Sequence, residues 1–401
     1  MLEIRPILSA LNRHKSATLL TILQIAITFA VVVNSISIIN QRFELMERKS
    51  GLAESQILAF NINPFGESYN IEHNFKADME LIRNTPGVID AVITNMIPMS
   101  GSGSSTGISQ TQQDFDDNRV WNAGYFRGDN HILNTLGAKL IAGRNFHEDE
   151  IIYSKEFVEP NVILITQSLA DKMFDNGDAL GKQVYFWGID ATVIGVIDTL
   201  AGPWPSAPQF MDNFIQPIMA LSNFVRVIVR VEKSEMPTML GAMEKILLER
   251  NPNRVITEVK SLEEIKRRSY SRDYAMTQIL SVVITLLILI TALGIIGVVS
   301  FNVNQRIKQI GIKRALGATK TDIIRYFITE NLLITSLGVF IGAIATLLFN
   351  NYLVSDFQLT AVHWSYIPIG ALAMFLTSIL SVWAPARKAS RISPAVATQT
   401  V

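Results

Sequence analysis

The sequence predicts an α+β membrane protein with four transmembrane helices and a large extracytoplasmic α+β domain between helices one and two. The 401-residue chain is 49% hydrophobic and only 17% charged, with a mean hydropathy of +0.27, whereas soluble globular domains carry about 25% charged residues. Its apolar residues concentrate in four stretches without Asp, Glu, Lys or Arg. A long polar segment with strand and helix patterns separates the first stretch from the second.

Overall charge and cysteine content exclude several classes of function. The 35 basic and 35 acidic residues give a formal net charge of zero, which argues against a nucleic-acid-binding protein, since such proteins carry a basic excess. The absence of cysteine excludes disulfides, thiolate metal sites and cysteine nucleophiles. Together with the hydropathy, these features disfavour a soluble cytosolic enzyme.

Each of the four apolar stretches is close to the length needed to cross a bilayer, since a hydrocarbon core of about 30 Å requires about 20 helical residues. The first is longer than the apolar core of a signal peptide and is followed by no small-residue cleavage site, so we expect a retained anchor. Trp364 and Trp383 flank the last stretch, as interfacial aromatic residues do. The predicted spans are residues 18–39, 279–301, 332–349 and 367–383.

Basic residues predict the orientation of these helices. They precede the first span, lie between the second and third, and follow the fourth, whereas the loop between the third and fourth has none. The positive-inside rule therefore predicts an inner-membrane (plasma-membrane) protein with both termini in the cytoplasm. Residues 1–17 become a cytoplasmic amphipathic segment. Residues 41–275, with 23 basic and 31 acidic side chains, become the extracytoplasmic domain.

The extracytoplasmic domain contains two β-α-β patterns separated by a long insertion. Residues 54–98 and 224–260 each read as strand, amphipathic helix, turn and strand, which predicts a split ferredoxin-like module. The insertion, residues 99–223, begins with a Gly/Ser run that is typical of a flexible linker. Its later part has short β-rich stretches, so we expect a mostly β inserted subdomain.

Helical patterns continue beyond the membrane at both ends of this domain. The first span is expected to continue as a stalk to about residue 50. Residues 262–274 contain no Pro or Gly, so a helix is expected to run unbroken into the second span. Rigid connections of this kind are required for movement to pass between membrane and domain.

Short motifs in the extracytoplasmic domain give no support for catalysis. Residues 103–107 match the G-x-S-x-G pattern but lie in the Gly/Ser run, where we expect a flexible loop. Residues 177–183 resemble a phosphate-binding loop with the wrong spacing. The five histidines are dispersed, unlike the clustered ligands of a metal site, and residues 147–150 read as a solvated acidic turn. We therefore predict no catalytic, cofactor-binding or metal-binding residues, and a chain that is not an enzyme.

The cytoplasmic loop, residues 302–331, is the most informative segment. Basic residues alternate with Ile310, Ile312 and Leu316, which predicts a short amphipathic helix, a break at Gly317 and a second helix capped by Thr319. Two interpretations are equally supported by the residues themselves. The basic face lies on anionic lipid, or the loop is a docking element for a cytoplasmic partner.

Three segments in the same order resemble one family. Residues 309–318 read Gln-Ile-Gly-Ile-Lys-Arg-Ala-Leu-Gly-Ala and resemble the signature of FtsX-like ABC transporter permeases. A Leu-Gly-Ala to Arg-Asn-Phe run at 136–146 and short matches up to residue 196 are similar to the MacB-like periplasmic core domain of the type VII, or mechanotransmission, branch. The tail at 385–395 also resembles the family's ending. The resemblance assigns residues 41–275 to that core domain, with porter and inserted subdomains, and 276–401 to an FtsX-like permease domain.

The resemblance implies a permease subunit that couples ATP hydrolysis to extracytoplasmic movement without carrying substrate through the membrane. ATP and Mg²⁺ would act through a separate cytoplasmic ABC ATPase, because the chain carries no ATPase domain of its own. Further implied partners are a second permease chain, in a homodimer or heterodimer, a periplasmic adaptor and an outer-membrane channel. Gln305 and Gln309 stand where the family usually has Glu. The implied ATPase-coupling residues are Gln309, Gly311, Lys313, Arg314, Ala315, Gly317 and Ala318.

Three functions are compatible with this family. The first is efflux of a peptide, antibiotic or other amphiphile, the second is release of lipoproteins from the membrane, and the third is signalling to an extracytoplasmic enzyme or sensor. Signalling permeases of the division type usually have smaller extracytoplasmic domains, so the 235-residue domain favours the first two. We expect efflux.

Overall fold

The computed structural model describes residues 15–66, 69–155, 158–357 and 362–393. Most of the predicted N-terminal amphipathic segment and the last residues of the family-like tail lie outside these ranges. The chain divides into two compact units. The membrane unit comprises the described residues up to Glu44 and from Asp273 onward, and the α+β unit is Leu45–Arg272.

Eleven α-helices occur in the described part of the chain, and they account for both units. They are α1 (Lys15–Glu47), α2 (Ile71–Arg83), α3 (Gln112–Asp116), α4 (Ile132–Leu136), α5 (Gln167–Met173), α6 (Met236–Arg250), α7 (Leu262–Ser269), α8 (Ser271–Gln305), α9 (Ile307–Ala315), α10 (Lys320–Phe357) and α11 (Tyr366–Ser390).

In the residues that the structure describes, thirteen strands, all between α1 and α7, form the sheets of the α+β unit. They are β1 (Ile57–Pro64), β2 (Val88–Thr94), β3 (Ser105–Ile108), β4 (Trp121–Arg127), β5 (Leu140–Gly143), β6 (Ile152–Ser154), β7 (Val162–Thr166), β8 (Gln183–Phe186), β9 (Ile189–Ile197), β10 (Asn213–Gln216), β11 (Ile218–Ala220), β12 (Val225–Val231) and β13 (Arg254–Ser261).

The predicted fold class is confirmed. Within the described ranges four helices, α1, α8, α10 and α11, are long and apolar enough to cross a membrane. The α+β unit lies in the chain between the first and the second of these. Each helix extends beyond its predicted charge-free stretch, because polar residues continue the helical hydrogen bonding past the apolar segment.

The expected unbroken helix over 262–274 is wrong. The helix α7 ends at Tyr270, which adopts φ −86° and ψ 7° and separates α7 from α8. The Tyr270 side chain is buried, and its hydroxyl donates a hydrogen bond to the backbone oxygen of Leu45 at 3.0 Å. This long-range contact is a tertiary constraint that overrides the local helical pattern.

The split ferredoxin-like module is present as a four-stranded antiparallel sheet in the order β13-β1-β12-β2. The helices α2 and α6 connect the strands of its two β-α-β units. Six consecutive residues of β1 are buried, because the sheet is covered on both faces. Leu58 and Phe60 pack with the helices, whereas Ile57 and Ala59 pack with the insertion.

The inserted subdomain is β-rich, as predicted. Its main sheet has the order β3-β4-β10-β7-β9-β5, with β8 added on β9, and a separate parallel pair joins β6 to β11. The expected flexible linker is wrong. Ser105 begins β3, which pairs with β4, and a Cβ added at Gly103 would lie 2.3 Å from Cγ of Pro203. The run is rich in glycine at this point because the backbone approaches a proline ring closely.

The membrane unit is held together by small residues and short polar side chains. The hydroxyls of Thr28 in α1 and Thr291 in α8 hydrogen-bond at 2.8 Å. Asn331 in α10 donates to Ser378 in α11. A Cβ added at Gly342 of α10 would lie 2.8 Å from the backbone oxygen of Ala26 in α1. Such contacts specify helix packing where lipid removes the hydrophobic driving force.

Candidate functional site

The candidate functional site is the coupling segment, residues 306–319, which joins α8 to α10 and contains α9. The predicted break is present, since Gly317 has φ +101°, a conformation that favours glycine. The predicted cap is confirmed as well. The Thr319 hydroxyl accepts the N–H of Asp322 at 3.2 Å, and the Asp322 carboxylate accepts the N–H of Thr319 at 2.8 Å. This reciprocal arrangement starts α10 sharply after the turn.

Asp322 is held as a carboxylate by the same contacts. Hydrogen bonds from the Thr319 hydroxyl and from the Thr319 backbone keep the pKa of Asp322 below its usual value. A negative charge in the first turn also interacts favourably with the helix dipole. The start of α10 is therefore charged and structured at neutral pH.

A buried ion pair anchors the other end of the segment. The Arg306 guanidinium donates to both carboxylate oxygens of Glu330 in α10, at 3.1 and 2.9 Å. The two side chains are only 11% and 5% exposed. Both hydrogen bonds come from one guanidinium nitrogen, Nη1, and charge-assisted hydrogen bonds of this kind are strong. They fix the position of α9 against α10, and no spacing in the sequence indicated them, since 24 residues separate the partners.

Lys313 and Arg314, predicted to contact an ATPase, turn toward their own chain. The Lys313 ammonium lies 4.5 Å from the centroid of the Tyr326 ring. Arg314 donates to the backbone oxygen of Ala318 at 2.9 Å, and its Nε is buried without a hydrogen-bond partner in the described part of the chain. The Arg314 side chain thus stabilises the turn at Gly317, whereas the exposed Lys313 side chain contacts α10.

The remaining predicted residues divide between the interior and the surface. Gly311 is buried and Ala318 is half-buried, whereas Gln309, Ala315 and Gly317 are exposed. The structure thus brings the predicted residues together on one short segment but leaves only some of them accessible.

Ile312 and Leu316 are the large aliphatic side chains that the described segment exposes, with exposures of 55% and 83%. They lie four residues apart, so they share one face of the helix and the turn that follows it. Sequence reasoning included both in the amphipathic pattern but did not select them as contact residues. The i, i+4 spacing of these two aliphatic residues, directly before Gly317, could have indicated an exposed apolar pair.

Neither ligand chemistry nor metal chemistry is indicated at this segment. The cavity between α9 and α10 measures about 150 Å³, below the range of about 300–1,000 Å³ for small-molecule sites. Throughout the described residues there is no group of three or more His, Cys, Asp or Glu that could hold a metal ion.

Two family models match the chain. Residues 18–245 match the MacB-like periplasmic core domain, and residues 281–394 match the FtsX-like permease C-terminal domain. The first match alone covers more than half of the chain.

Similar proteins include fused and unfused permeases. The macrolide export ATP-binding/permease protein MacB of Neisseria gonorrhoeae is 27% identical over 401 residues, covering 96% of this chain and 58% of its own length. The chain thus spans little more than half of that relative. The ABC transporter permease YknZ of Bacillus subtilis is 23% identical, covering 98% of this chain and 97% of its own.

A solved structure, the periplasmic region of MacB from Actinobacillus actinomycetemcomitans, aligns with a TM-score of 0.34 and 15% identity. It covers 56% of this chain and 97% of its own. The chain belongs to the MacB and FtsX-like family of ABC transporter permeases, and its four apolar helices indicate a protein of the inner membrane.

Proposed function

We propose that the chain is the permease subunit of a MacB-type transporter that exports a peptide, an antibiotic or another amphiphile. A separate cytoplasmic ATPase binds the coupling segment. ATP hydrolysis by this ATPase drives a conformational movement of the α+β unit, which lies on the extracytoplasmic side of the membrane. The observation that carries the proposal is the exposed apolar pair Ile312 and Leu316 on a segment that a buried ion pair anchors to α10. The chain itself supplies no catalytic group, and ATP and Mg²⁺ belong to the partner.

An apolar contact suits such a partner energetically. Burying one large aliphatic side chain that was previously exposed contributes about 1.5–3 kcal/mol. The ion pair of Arg306 with Glu330 already orders the segment, so little conformational entropy is lost on binding. The preorganised apolar pair Ile312 and Leu316 is therefore well suited to bind in an apolar pocket of the ATPase.

Two basic side chains of the segment make contacts within their own chain. An amphipathic element on anionic lipid directs its Lys and Arg side chains toward the headgroups. Arg314 is half-buried and donates to Ala318, whereas Lys313 lies beside the Tyr326 ring and stays exposed. Of the two interpretations that the sequence left open, we propose docking to an ATPase, because the chain belongs to a family of ABC transporter permeases.

Long continuous helices support mechanical transmission through the membrane unit. The 35 residues of α8 correspond to about 50 Å of helix, and α8 leads directly to the coupling segment. Near the start of α8, Asp273 pairs with Arg42 of α1 at 3.1 Å. These contacts link α8 to α1 near one end and to α10 at the other.

The proposed assembly contains a second permease chain and two ATPase subunits, with a periplasmic adaptor and an outer-membrane channel completing an export path. In this assembly both termini of the permease are cytoplasmic. The named relative MacB is a macrolide export protein that includes its ATP-binding part, which supports pairing the present chain with an ATPase.

Co-purification tests the docking surface. Leu316→Ser and Ile312→Ser should each reduce the amount of ATPase that co-purifies in detergent, where no bilayer is present, by at least about tenfold, the factor for 1.4 kcal/mol. Val255→Ser, at a half-exposed aliphatic residue of the α+β unit, is the matched control. If both segment variants retain the ATPase and transport normally, the segment is not the docking surface.

Cysteine labelling tests the proposed orientation. A cysteine at the exposed position Asp178 should react with a membrane-impermeant thiol reagent in cells with a permeabilised outer membrane, and one at exposed Lys320 should not. The natural chain has no cysteine, so the background is clean. Labelling of Lys320→Cys alone would reverse the topology and contradict the proposed mechanism.

A further inference from the structure

A cavity of about 500 Å³ in the α+β unit is not explained by docking to an ATPase. It lies between α2 and the two-stranded sheet of β6 and β11. Its volume falls within the range of about 300–1,000 Å³ that is typical of small-molecule sites. Phe75, Met79 and Met219 line its apolar part, and methionine side chains adapt readily to ligands of different shape.

An aromatic ring at the polar side of this cavity already carries an ammonium group. The Lys76 Nζ lies 4.1 Å from the centroid of the Tyr153 ring and donates to Glu72 at 2.7 Å. Both Lys76 and Glu72 are about half exposed, so this contact is weak and replaceable. The Tyr153 face is therefore a cation-binding position occupied by a surface lysine.

The cavity is lined by two carboxylates, Asp129 and Glu148, and two cations, Lys76 and Arg83. Two further carboxylates next to the lining, Glu72 and Asp90, contact these cations. The guanidinium of Arg83 is shared between Asp129 at 2.8 Å and Asp90 at 3.4 Å, and it also donates to the backbone oxygen of Ala91. Asp90 in turn accepts contacts from His131 at 2.9 Å and Asn134 at 2.7 Å. The Nε and Nη2 atoms of Arg83 thus donate within the chain, and two aspartates share its positive charge.

Glu148 adds a further negative charge at the rim of the cavity and forms no ion pair with any residue that the structure describes. Burial is the main cause that raises the pKa of the Tyr153 hydroxyl, with Asp129 and Glu148 raising it further and Lys76 and Arg83 lowering it. The charges of these two carboxylates and two cations therefore all affect the Tyr153 hydroxyl.

We propose that this cavity binds an amphiphilic organic amine. The apolar body of the ligand packs against Phe75, Met79 and Met219, and its ammonium group displaces that of Lys76 from the Tyr153 ring, close to Glu148. The assignment of this ligand as a transported substrate rests on the proposed function. Binding itself requires no ATPase, so the two proposals fail separately.

Three probes of equal size test the charge preference. The full chain in phosphatidylcholine nanodiscs is titrated with 4-(1-naphthyl)butylamine, 4-(1-naphthyl)butanol and 4-(1-naphthyl)butanoate, and binding is followed by saturation-transfer NMR with empty nanodiscs subtracted. The amine should bind about tenfold more tightly than the alcohol, as a cation–π contact next to a carboxylate allows. The butanoate should show no saturable binding.

Variants with opposite signs separate ligand binding from loss of structure. Lys76→Gln should increase affinity for the amine several-fold, because it removes the competing ammonium. Lys245→Gln, at another exposed lysine with a glutamate four residues away, should leave affinity unchanged. Glu148→Gln should weaken binding, whereas Asp190→Asn, at an exposed carboxylate outside the cavity, should not. Ala220→Trp should fill the cavity and abolish binding.

The proposal is overturned if the amine shows no saturable binding, if the butanoate binds as tightly as the amine, or if Lys76→Gln weakens amine binding. Stimulation of ATP hydrolysis by the amine in the complex with the ATPase tests its role in transport. If the amine binds but does not stimulate ATP hydrolysis, the cavity remains an amine-binding site, and the assignment of the amine as a transported substrate is contradicted. If the amine does not bind although the complex with the ATPase is functional, the binding site is contradicted and the proposed function is not.

Discussion

The α+β unit and the membrane unit use the same apolar side chains in opposite ways. In the α+β unit Leu58 and Phe60 are completely buried, whereas in the membrane unit Leu293 and Leu380 are 67% and 74% exposed. The first unit packs its apolar residues into shared cores. The second presents them outward, as expected in lipid, and uses hydroxyl and amide groups to join its helices.

This difference shows that polar contacts have a different weight in each unit. In water, apolar burial drives folding and a buried ion pair is an additional constraint on it. In lipid, apolar surface costs nothing, so small residues, hydroxyl pairs and the ion pair at the membrane edge determine which helices are neighbours. Single substitutions can test this contrast.

The largest effect is expected from the buried charge cluster of the α+β unit. Asp78 accepts hydrogen bonds from Arg250 and Arg254, and the side chains of Asp78 and Arg254 are fully buried. Asp78→Asn leaves the Arg254 charge buried without its counter-ion, at a cost of about 3–5 kcal/mol. Pulse proteolysis of the full chain in urea measures this loss. Glu72→Gln, at an exposed pair, should change stability by less than about 0.5 kcal/mol.

A smaller loss is expected from the ion pair at the coupling segment. Glu330→Gln removes the charged acceptor of Arg306 and should destabilise the membrane unit by about 2 kcal/mol, the value for a hydrogen bond to a charged group. Thermal unfolding in detergent, followed by circular dichroism, measures it. The double variant Arg306→Met/Glu330→Met should be more stable than Glu330→Gln, because it leaves no unpaired charge. A less stable double variant would show that the pair itself carries the stability.

Close packing of the membrane helices should produce an effect of similar or lower size. Gly342→Ala places a Cβ 2.8 Å from the Ala26 backbone oxygen, and overpacking of this kind costs about 1–3 kcal/mol. Gly297→Ala is the matched control, since a Cβ there meets nothing within 4 Å. Detergent melting temperatures compare the two. Equal values would mean that α1 and α10 are not tightly packed against each other.

The smallest effect is expected at the hydroxyl pair Thr28–Thr291. Hydrogen bonds between membrane helices contribute about 0.6 kcal/mol on average, so a double-mutant cycle with Thr28→Val and Thr291→Val should give a coupling of that size. A coupling above about 2 kcal/mol would exceed the observed range for such pairs. It would mean that the membrane unit relies on its polar contacts more than the comparison indicates.

Sequence patterns were most informative for helices and strands whose surroundings impose a regular pattern of apolar residues. Charge-free length predicted the four membrane helices, and alternation of apolar residues predicted both β-α-β units. The cap at Thr319 and the break at Gly317 were predicted from local chemistry, which requires only a few neighbouring residues. These features share a physical cause that lies within the segment itself.

Features caused by distant residues were not predictable in the same way. The helix break at Tyr270 depends on a hydrogen bond to Leu45, and the strand at Ser105 depends on pairing with β4. The direction of Lys313 and Arg314 depends on Tyr326 and on the turn that follows. The resemblance implied a role for these two basic side chains in contact with an ATPase, and it could not show their contacts within the chain.

The placement of the insertion has a consequence for the modularity of the α+β unit. Strands β2 and β12 are antiparallel neighbours, with Thr94 paired to Arg226, so a short turn could join them and omit about 130 residues. The entropic free energy of closing the long connection exceeds that of a four-residue turn by only about 3 kcal/mol, because each doubling of loop length adds about 0.6 kcal/mol.

Deleting the insertion would nevertheless not yield a minimal soluble module. Ile57, Val92 and Ile228 of the ferredoxin-like sheet belong to the core that the insertion completes, and they would face water in the truncated chain. An uncovered sheet face of this kind is a template for aggregation. An engineered short form would therefore need new polar residues on that face, so the insertion is separable along the chain but indispensable as a layer of the fold.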